Sequence, residues 1–243
     1  MIFNILTLFP NTLQCFLQES IVKRAIERGV IQINIHNIRD FTTDKHKSVD
    51  DYPFGGGYGM LMRPDPLFRA IESIQEKGRV VCMNPMGTLL HQKKVRTLAG
   101  DSHITLICGH YEGIDQRVIA HLVDEEISIG DYVLTCGEIA AAVLVDTVTR
   151  ELEGTLGNTE SKLDESFDST GLLEYEQYTR PAVFRGYSVP EVLLSGNHEE
   201  IKKWRMKRRI INTLKRRPDI FDPSSLSDEY KKILYEVLEE IEQ

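Results

Sequence analysis

Residues 104–138 read ITLICGHYEGIDQRVIAHLVDEEISIGDYVLTCGE, and this stretch decides the fold. Ile104–Cys108 is an apolar run of strand length, stopped by Gly109. A second strand-like run, Val123–Ile129, stops at Gly130. Each glycine opens a loop of mixed polar and aromatic residues. In an α/β domain, ligands lie outside the carboxyl ends of the strands, on such loops. Gly109, Gly113, Gly130 and Gly137 let the backbone come close to a ligand and offer it N–H and C=O groups. The same spacing also fits two tight strand–helix turns with no ligand, and the residues alone leave both readings open.

Working outward to the amino terminus, Ile2–Phe9 reads as a buried strand. Pro10 and Asn11 open a helix with Leu13, Phe16, Leu17, Ile21, Ala25 and Ile26 on one face, ended by Gly29. Val30–Ile38 alternates apolar and polar residues, a second strand. Strand, helix, strand at this spacing is a βαβ unit, so the sheet is expected to be parallel. The first turn, Phe9-Pro10-Asn11, holds no G-x-G-x-x-G, which removes the usual dinucleotide site.

Residues 39–63 form a long polar loop, and loops of that length are usually functional or mobile. It carries DDYPFGGGYGMLMRP, whose Gly55, Gly56, Gly57 and Gly59 suggest a loop covering a substrate. The strand–GxxxxGK[ST]–helix context of a P-loop is missing, which argues against nucleotide hydrolysis. Pro66–Gly78 reads as a helix, Arg79–Met83 as a strand, and Asn84-Pro85-Met86-Gly87 as a third glycine-ended turn before a helix over Leu90–Leu98. Gly137–Leu152 is helical and apolar almost all round, so it belongs in a core or a subunit interface.

Residues 153–170 change character: EGTLGNTESKLDESFDST is polar and acidic, as in a linker between domains. An irregular aromatic stretch with Pro181 and Pro190 follows. Lys202–Arg217 then reads KKWRMKRRIINTLKRR, with nine basic residues and no acid. Such a run is either a solvated helix face or a phosphate-binding surface. A last helix over Ser227–Glu242 places Tyr230, Ile233, Leu234, Val237, Leu238 and Ile241 on one stripe, with Asp228 and Glu229 suited to its positive end.

Composition bounds the rest. At 243 residues and 41% hydrophobic, the chain can bury a sizeable core, as one large domain or a domain with an appendage. The net charge of −8 argues against a nucleic-acid partner, while the local basic run argues for one. Cys15, Cys82, Cys108 and Cys136 show no paired spacing and read as reduced thiols of a cytoplasmic protein. No apolar run reaches the roughly 18 residues of a membrane span, so no membrane partner is expected. None of the histidines, His36 and His46 included, has a partner at metal-ligand spacing.

Five motifs, in this order and spacing, resemble the bacterial tRNA (guanine-37-N1)-methyltransferase family of the knotted SPOUT superfamily. They are GGGYGMLMRP (55–64), CGHYEGID (108–115), ISIGDYVLTCGE (127–138), GLLEYEQYTRP (171–181) and VPEVLLSGNHEEIKKWR (189–205). The resemblance implies a parallel-sheet α/β domain with a deep trefoil knot over residues 1–160. It further implies a linker over 161–175 and a small all-helical tRNA-binding domain over 176–243. It implies transfer of a methyl group from S-adenosylmethionine to N1 of the guanine next to the anticodon. A non-catalytic RNA-binding protein and a methyltransferase acting on ribosomal RNA are the alternatives.

By the same resemblance, the donor is held by backbone groups of three loops. The matching positions are Pro85 and Gly87; Gly109, Tyr111, Glu112 and Gly113; and Ile129, Gly130, Asp131, Tyr132, Val133, Leu134 and Gly137. The family's base, an Asp in Asp-Ser-Phe, falls on Glu165, with Asp164 and Asp168 as alternatives because the following stretch is one residue longer here. The family's cation at O6 falls on Arg150. Lys202, Lys203, Arg205, Arg208, Arg209, Arg216 and Arg217 are the expected RNA contacts. A homodimer sharing its active sites is implied; Mg2+ is possible, with no protein ligands assignable. Other departures from the pattern are Tyr58 for Pro, Cys136 for Gly, and Glu176-Gln177 for Pro-His.

Overall fold

The computed structural model describes residues 1–156 and 165–242. The chain divides into two compact units, Met1–Gly157 and Asn158–Gln243.

The first unit begins with β1 (Ile2–Thr7), α1 (Pro10–Leu17), α2 (Ser20–Glu27) and β2 (Gln32–Asn37). The single helix expected after Pro10 is two. The break falls where Ser20 takes a left-handed φ of 57°, a conformation that stops helix propagation. Leu13, Val22 and Ala25 reach the core, whereas Ile26 stays exposed. The long polar loop is partly ordered by a two-stranded ladder, β3 (Asp50–Asp51) against β4 (Leu61–Met62). Next come α3 (Pro64–Ser73), opened by a proline at its first position, and β5 (Arg79–Leu89). α4 (Gln92–Leu98), β6 (His103–Cys108), α5 (Gln116–Leu122), β7 (Glu125–Ser128) and α6 (Gly137–Glu151) complete the unit.

β5 is longer than its apolar run. Met83 pairs with Ile127 of β7, Asn84–Gly87 swings out, and the strand rejoins β7 at Thr88 and Leu89. The sheet is parallel throughout, in the order β2-β1-β6-β5-β7. One face is covered by α1, α2, α4 and α6, through Leu13, Val22, Leu98 and Leu144. The other is covered by α3 and α5, through Leu67, Ile71 and Val118. The chain leaves β5 toward β6 on one side and then returns to β7 on the other. The connections therefore reverse direction at β5, where ligand crevices form in open α/β sheets.

α6 is not buried all round. Ala140, Ala141, Leu144, Val145 and Val148 face the core, while Ile139 and Val143, one turn apart, are exposed.

The second unit is helical but not all-helical as expected: a short hairpin, β8 (Val183–Phe184) with β9 (Tyr187–Ser188), precedes α7 (Glu191–Leu194), α8 (His198–Arg216) and α9 (Asp228–Glu242). Asn197 caps α8 by accepting from the Glu200 N–H. Leu172, Met206, Ile210, Leu226, Ile233, Leu234 and Val237 form its core, and Leu238 of the expected stripe is exposed. Among the described residues, no helix is long and apolar enough to cross a membrane.

Candidate functional site

A cavity of about 300 Å³ opens at the carboxyl ends of β6 and β7, beside the segment where β5 swings out after Met83. That volume is at the lower end for small-molecule sites. Its walls are the three glycine-containing loops. Pro85, Gly109, Tyr111, Glu112, Gly113, Ile129, Gly130, Tyr132, Val133, Leu134 and Gly137 all line it. His110, Ser128, Thr135 and Ala140 line it too; as neighbours of the expected positions, they were within reach of the sequence reading.

Gly87 and Asp131 are not among the lining residues. Gly87 is required by packing instead: a Cβ there would overlap the backbone of Glu126 and Ile127 on β7. Gly137 is constrained in the same way. Its N–H donates to the Gly109 carbonyl at 2.9 Å. A Cβ on it would come within 2.6 Å of the Gly109 nitrogen. The start of α6 is thus pressed onto the end of β6, leaving no room for any side chain. Gly130 has φ 153°, and the Tyr132 ring folds back over it, its hydroxyl donating to the Ile129 carbonyl at 3.2 Å.

Two further contacts brace this wall. Glu138, in the first turn of α6, is buried, and one of its carboxylate oxygens accepts from the Thr7 hydroxyl at the end of β1. The Thr7 oxygen in turn accepts from the Phe9 N–H at 2.8 Å. The Phe9 ring meets His110 edge-on at 4.9 Å between centroids, and His110 meets Tyr111 at the same distance. No sequence motif marked Thr7, because its partner lies 131 residues away. Cys82 also lines the cavity, but burial pushes its thiol up to about 12, so it stays neutral and is no nucleophile at physiological pH.

The glycine-rich loop is fastened to the same wall. The Glu112 N–H donates to the Met60 carbonyl (3.0 Å), and the Met62 N–H donates to the Gly113 carbonyl (2.9 Å). The Asp115 N–H donates to the Met62 carbonyl (3.0 Å). Gly59 lies against the Glu112 side chain, which a Cβ there would overlap.

The acid–base candidates belong to different units. Arg150 sits half-buried in the last turn of α6. Glu165 is half-buried just ahead of a tight loop in which the Phe167 N–H donates to the Leu172 carbonyl at 2.9 Å. Asp164 lies outside the described residues. Asp168 is corrected: it is buried and ion-paired with Arg209, and it accepts from the N–H and hydroxyl of Thr170. Its carboxylate is therefore committed to the interior of the second unit and cannot serve as a base.

Arg209 is corrected with it. It is a buried core cation that also donates to the Leu173 carbonyl and the Tyr230 hydroxyl, and so is closed to phosphate. The remaining basic residues of α8 stand near the surface, several with acidic partners. Lys202 pairs with Glu229, Lys203 with Glu236 and Lys207 with Glu240, all on α9. Arg208 pairs with Glu176, Arg217 with Asp219, and Arg205 lies over the Tyr175 ring at 4.8 Å. The hydrogen bond from Arg208 holds the Glu176 carboxyl well down, at about 2. Lys215 and Arg216 are exposed in the last turn of α8. Among the described residues, no group of three or more His, Cys, Asp or Glu side chains is arranged to hold a metal ion.

Residues 1–223 match the family model described as tRNA (Guanine-1)-methyltransferase TrmD. A curated tRNA (guanine-N(1)-)-methyltransferase of Caldanaerobacter subterraneus subsp. tengcongensis is 54% identical over 238 residues, covering 97% of this chain and 98% of its own length. The protein of the same name from Brevibacillus brevis is 51% identical over 98% of both chains. That from Dehalococcoides mccartyi is 49% identical over 98% of this chain and 97% of its own.

Proposed function

The chain belongs to the tRNA (guanine-1)-methyltransferase TrmD family, and from that premise we propose that it methylates N1 of guanosine-37, beside the anticodon of tRNA, with S-adenosylmethionine as donor. The observation that carries the reading is the cavity at the reversal point of the sheet, walled by the backbone of three loops. Gly109 fits a donor there, because it lines the cavity and places no side chain between backbone and ligand, while Gly137 lets the start of α6 press onto β6 and close the wall. When bound, S-adenosylmethionine supplies a methyl group activated by its sulfonium charge.

The acceptor sets the remaining requirements. N1 of guanine carries a proton and is a poor nucleophile until that proton leaves, and its loss pushes negative charge onto O6. A carboxylate base and a cation at O6 meet both needs. Glu165 takes the proton, its extra methylene relative to Asp being absorbed by the linker, and Arg150 neutralises O6. Lys202, Lys203, Arg205, Arg208, Arg216 and Arg217 offer positive charge to RNA phosphates, those with acidic partners by exchanging a carboxylate for a phosphate. Mg2+ enters only through the family resemblance, with no ligands assigned here.

We also assign a twofold dimer, in which Glu165 of one chain serves the cavity of the other. The exposed pair Ile139 and Val143, aliphatic and on the outer face of α6, supports a second copy packing there. The domain division 1–160, 161–175 and 176–243 and a trefoil knot in the first domain are part of the same proposal. Methyl transfer from labelled donor to a tRNA transcript with guanine at position 37, beside one without it, tests the activity. Equal labelling of both transcripts, or of neither, rejects it.

A further inference from the structure

Three aromatic side chains stand out of the glycine-rich loop with almost nothing covering them. Tyr52 is 79%, Phe54 101% and Tyr58 98% exposed. Burying aromatic surface is strongly favourable, so three such rings exposed within seven residues mark a contact surface. The loop itself stands off the body. Gly55 and Gly56 have positive φ angles and no atom within 4 Å of where a Cβ would sit. Its base, by contrast, is fixed: the Met60 and Met62 hydrogen bonds and the Gly59–Glu112 contact attach it to the cavity wall.

We propose that Tyr52, Phe54 and Tyr58 form a stacking platform for unpaired bases of the RNA strand flanking the target guanine. The inference rests on the reading above, in which the acceptor base enters this cavity. A base brought to a methyl donor must leave its stack, and its neighbours then need other π-faces. Aromatic rings supply these whatever the sequence, and glycines let them adjust. No cation lies between Tyr52 and Tyr58, so the rings themselves, and not a charge among them, are what this segment offers a strand. A second copy of the chain is the less fitting occupant. These rings project on a glycine stalk, whereas the aliphatic surface suited to a flat twofold contact lies on α6.

Stacking and charge separate by their salt dependence. Phosphate contacts contribute to the slope of log affinity against log salt, and stacking does not. Tyr58→Ala and Phe54→Ala should each weaken binding of a guanosine-37 tRNA transcript by at least about fivefold, the low end for loss of a base–aromatic stack. The salt slope, the affinity for S-adenosylmethionine and the oligomeric mass should stay as in the unaltered protein, and Tyr58→Trp should restore RNA affinity. Unchanged tRNA affinity in both alanine variants overturns the platform while leaving the functional reading intact. A fall in oligomeric mass assigns the rings to a second copy instead and also overturns it. If the unaltered protein binds no tRNA, the functional reading fails and the platform with it.

Discussion

The guanidinium of Arg209 stands 2.7 Å from the carboxylate of Asp168 in the interior of the second unit, with 2% and 6% of the two side chains exposed. Asp168 lies in the linker, three residues after Glu165, and Arg209 lies in the middle of α8, so the pair ties the segment carrying Glu165 to the helical core. Breaking a buried pair leaves one charge uncompensated and costs about 3–5 kcal/mol. Arg209→Ala and Asp168→Asn are each expected to lower the free energy of unfolding by that order, read from the shift of the denaturant midpoint. Replacing both together with apolar residues of similar volume should recover most of the loss. Wild-type stability in either single variant would contradict the pair's role.

This pair shows where the sequence was legible and where it was not. The βαβ start, the strand ends at Cys108 and Ser128 and the loops after them are local patterns, set by apolar runs and glycines within a few residues. Arg209 carried a local signal of a different kind. It lies between Met206 and Ile210 on the face that also holds Thr213, so helical spacing placed it on the buried side. The basic run drew attention to its charge instead, and its partner is 41 positions away in sequence. The acidic partners of Lys202, Lys203 and Lys207 are also remote, 27, 33 and 33 positions away on α9. The break between α1 and α2 was hidden because a serine, not a glycine, takes the left-handed conformation. β5 outran its apolar pattern because β7 picks it up again beyond Gly87.

The Glu176–Arg208 pair sets a pH dependence. Glu176 titrates at about 2 instead of 4.5, chiefly through its hydrogen bond from Arg208. A carboxyl depressed on folding contributes stability that is complete above its unfolded value and is lost as pH falls toward the folded one. The Tm difference between the protein and Glu176→Gln should therefore be constant from neutral pH down to about 5 and shrink steadily toward pH 2. A difference that persists undiminished at pH 2 would exclude this pair as its source.

Gly109 offers the mildest test of donor binding. A Cβ there meets nothing closer than 3.7 Å, so a first side-chain atom is accommodated, and Gly109→Val adds two methyl groups at a position lining the cavity. S-adenosylmethionine at about 100 times its Kd should stabilise the unaltered protein by roughly 2.7 kcal/mol, read as a rise in Tm. Gly109→Val should keep its own Tm and lose most of that rise. Gly137→Ala should instead lower Tm without ligand, because it collides with the backbone of β6. A full donor shift in Gly109→Val would place the donor elsewhere.

The basic residues of α8 should not be equivalent toward RNA. Arg216 extends from the last turn with no acidic partner in the described residues, whereas Lys202 is engaged with Glu229. Arg216→Glu is expected to weaken tRNA binding and reduce the magnitude of the salt slope by about 1, the share of one phosphate contact. Lys202→Glu should cost less, because the exposed pair already screens its charge. Donor affinity should be untouched in both. Equal affinities for the unaltered protein and Arg216→Glu at low salt would return the helix to a solvated face.

The last expectation concerns which chain supplies the base. Glu165 belongs to the second unit and the cavity to the first, and a polar linker joins them. Glu165→Gln should abolish transfer with donor binding intact, and Arg150→Ala should do likewise through O6. Should Glu165→Gln stay active and Asp164→Asn be dead, the base lies one residue earlier. Gly109→Val and Glu165→Gln can then be unfolded and refolded together. Each homodimer is dead, one for want of a donor and the other for want of a base. If the base of one chain serves the cavity of the other, every mixed dimer has one site with both defects and one with none. Random pairing makes about half of the dimers mixed, so activity should return to roughly a quarter of the unaltered level if the sites act independently. If base and cavity come from the same chain, no combination contains an intact site. Background activity, with exchange verified by a tagged subunit, would then confine each active site to a single chain.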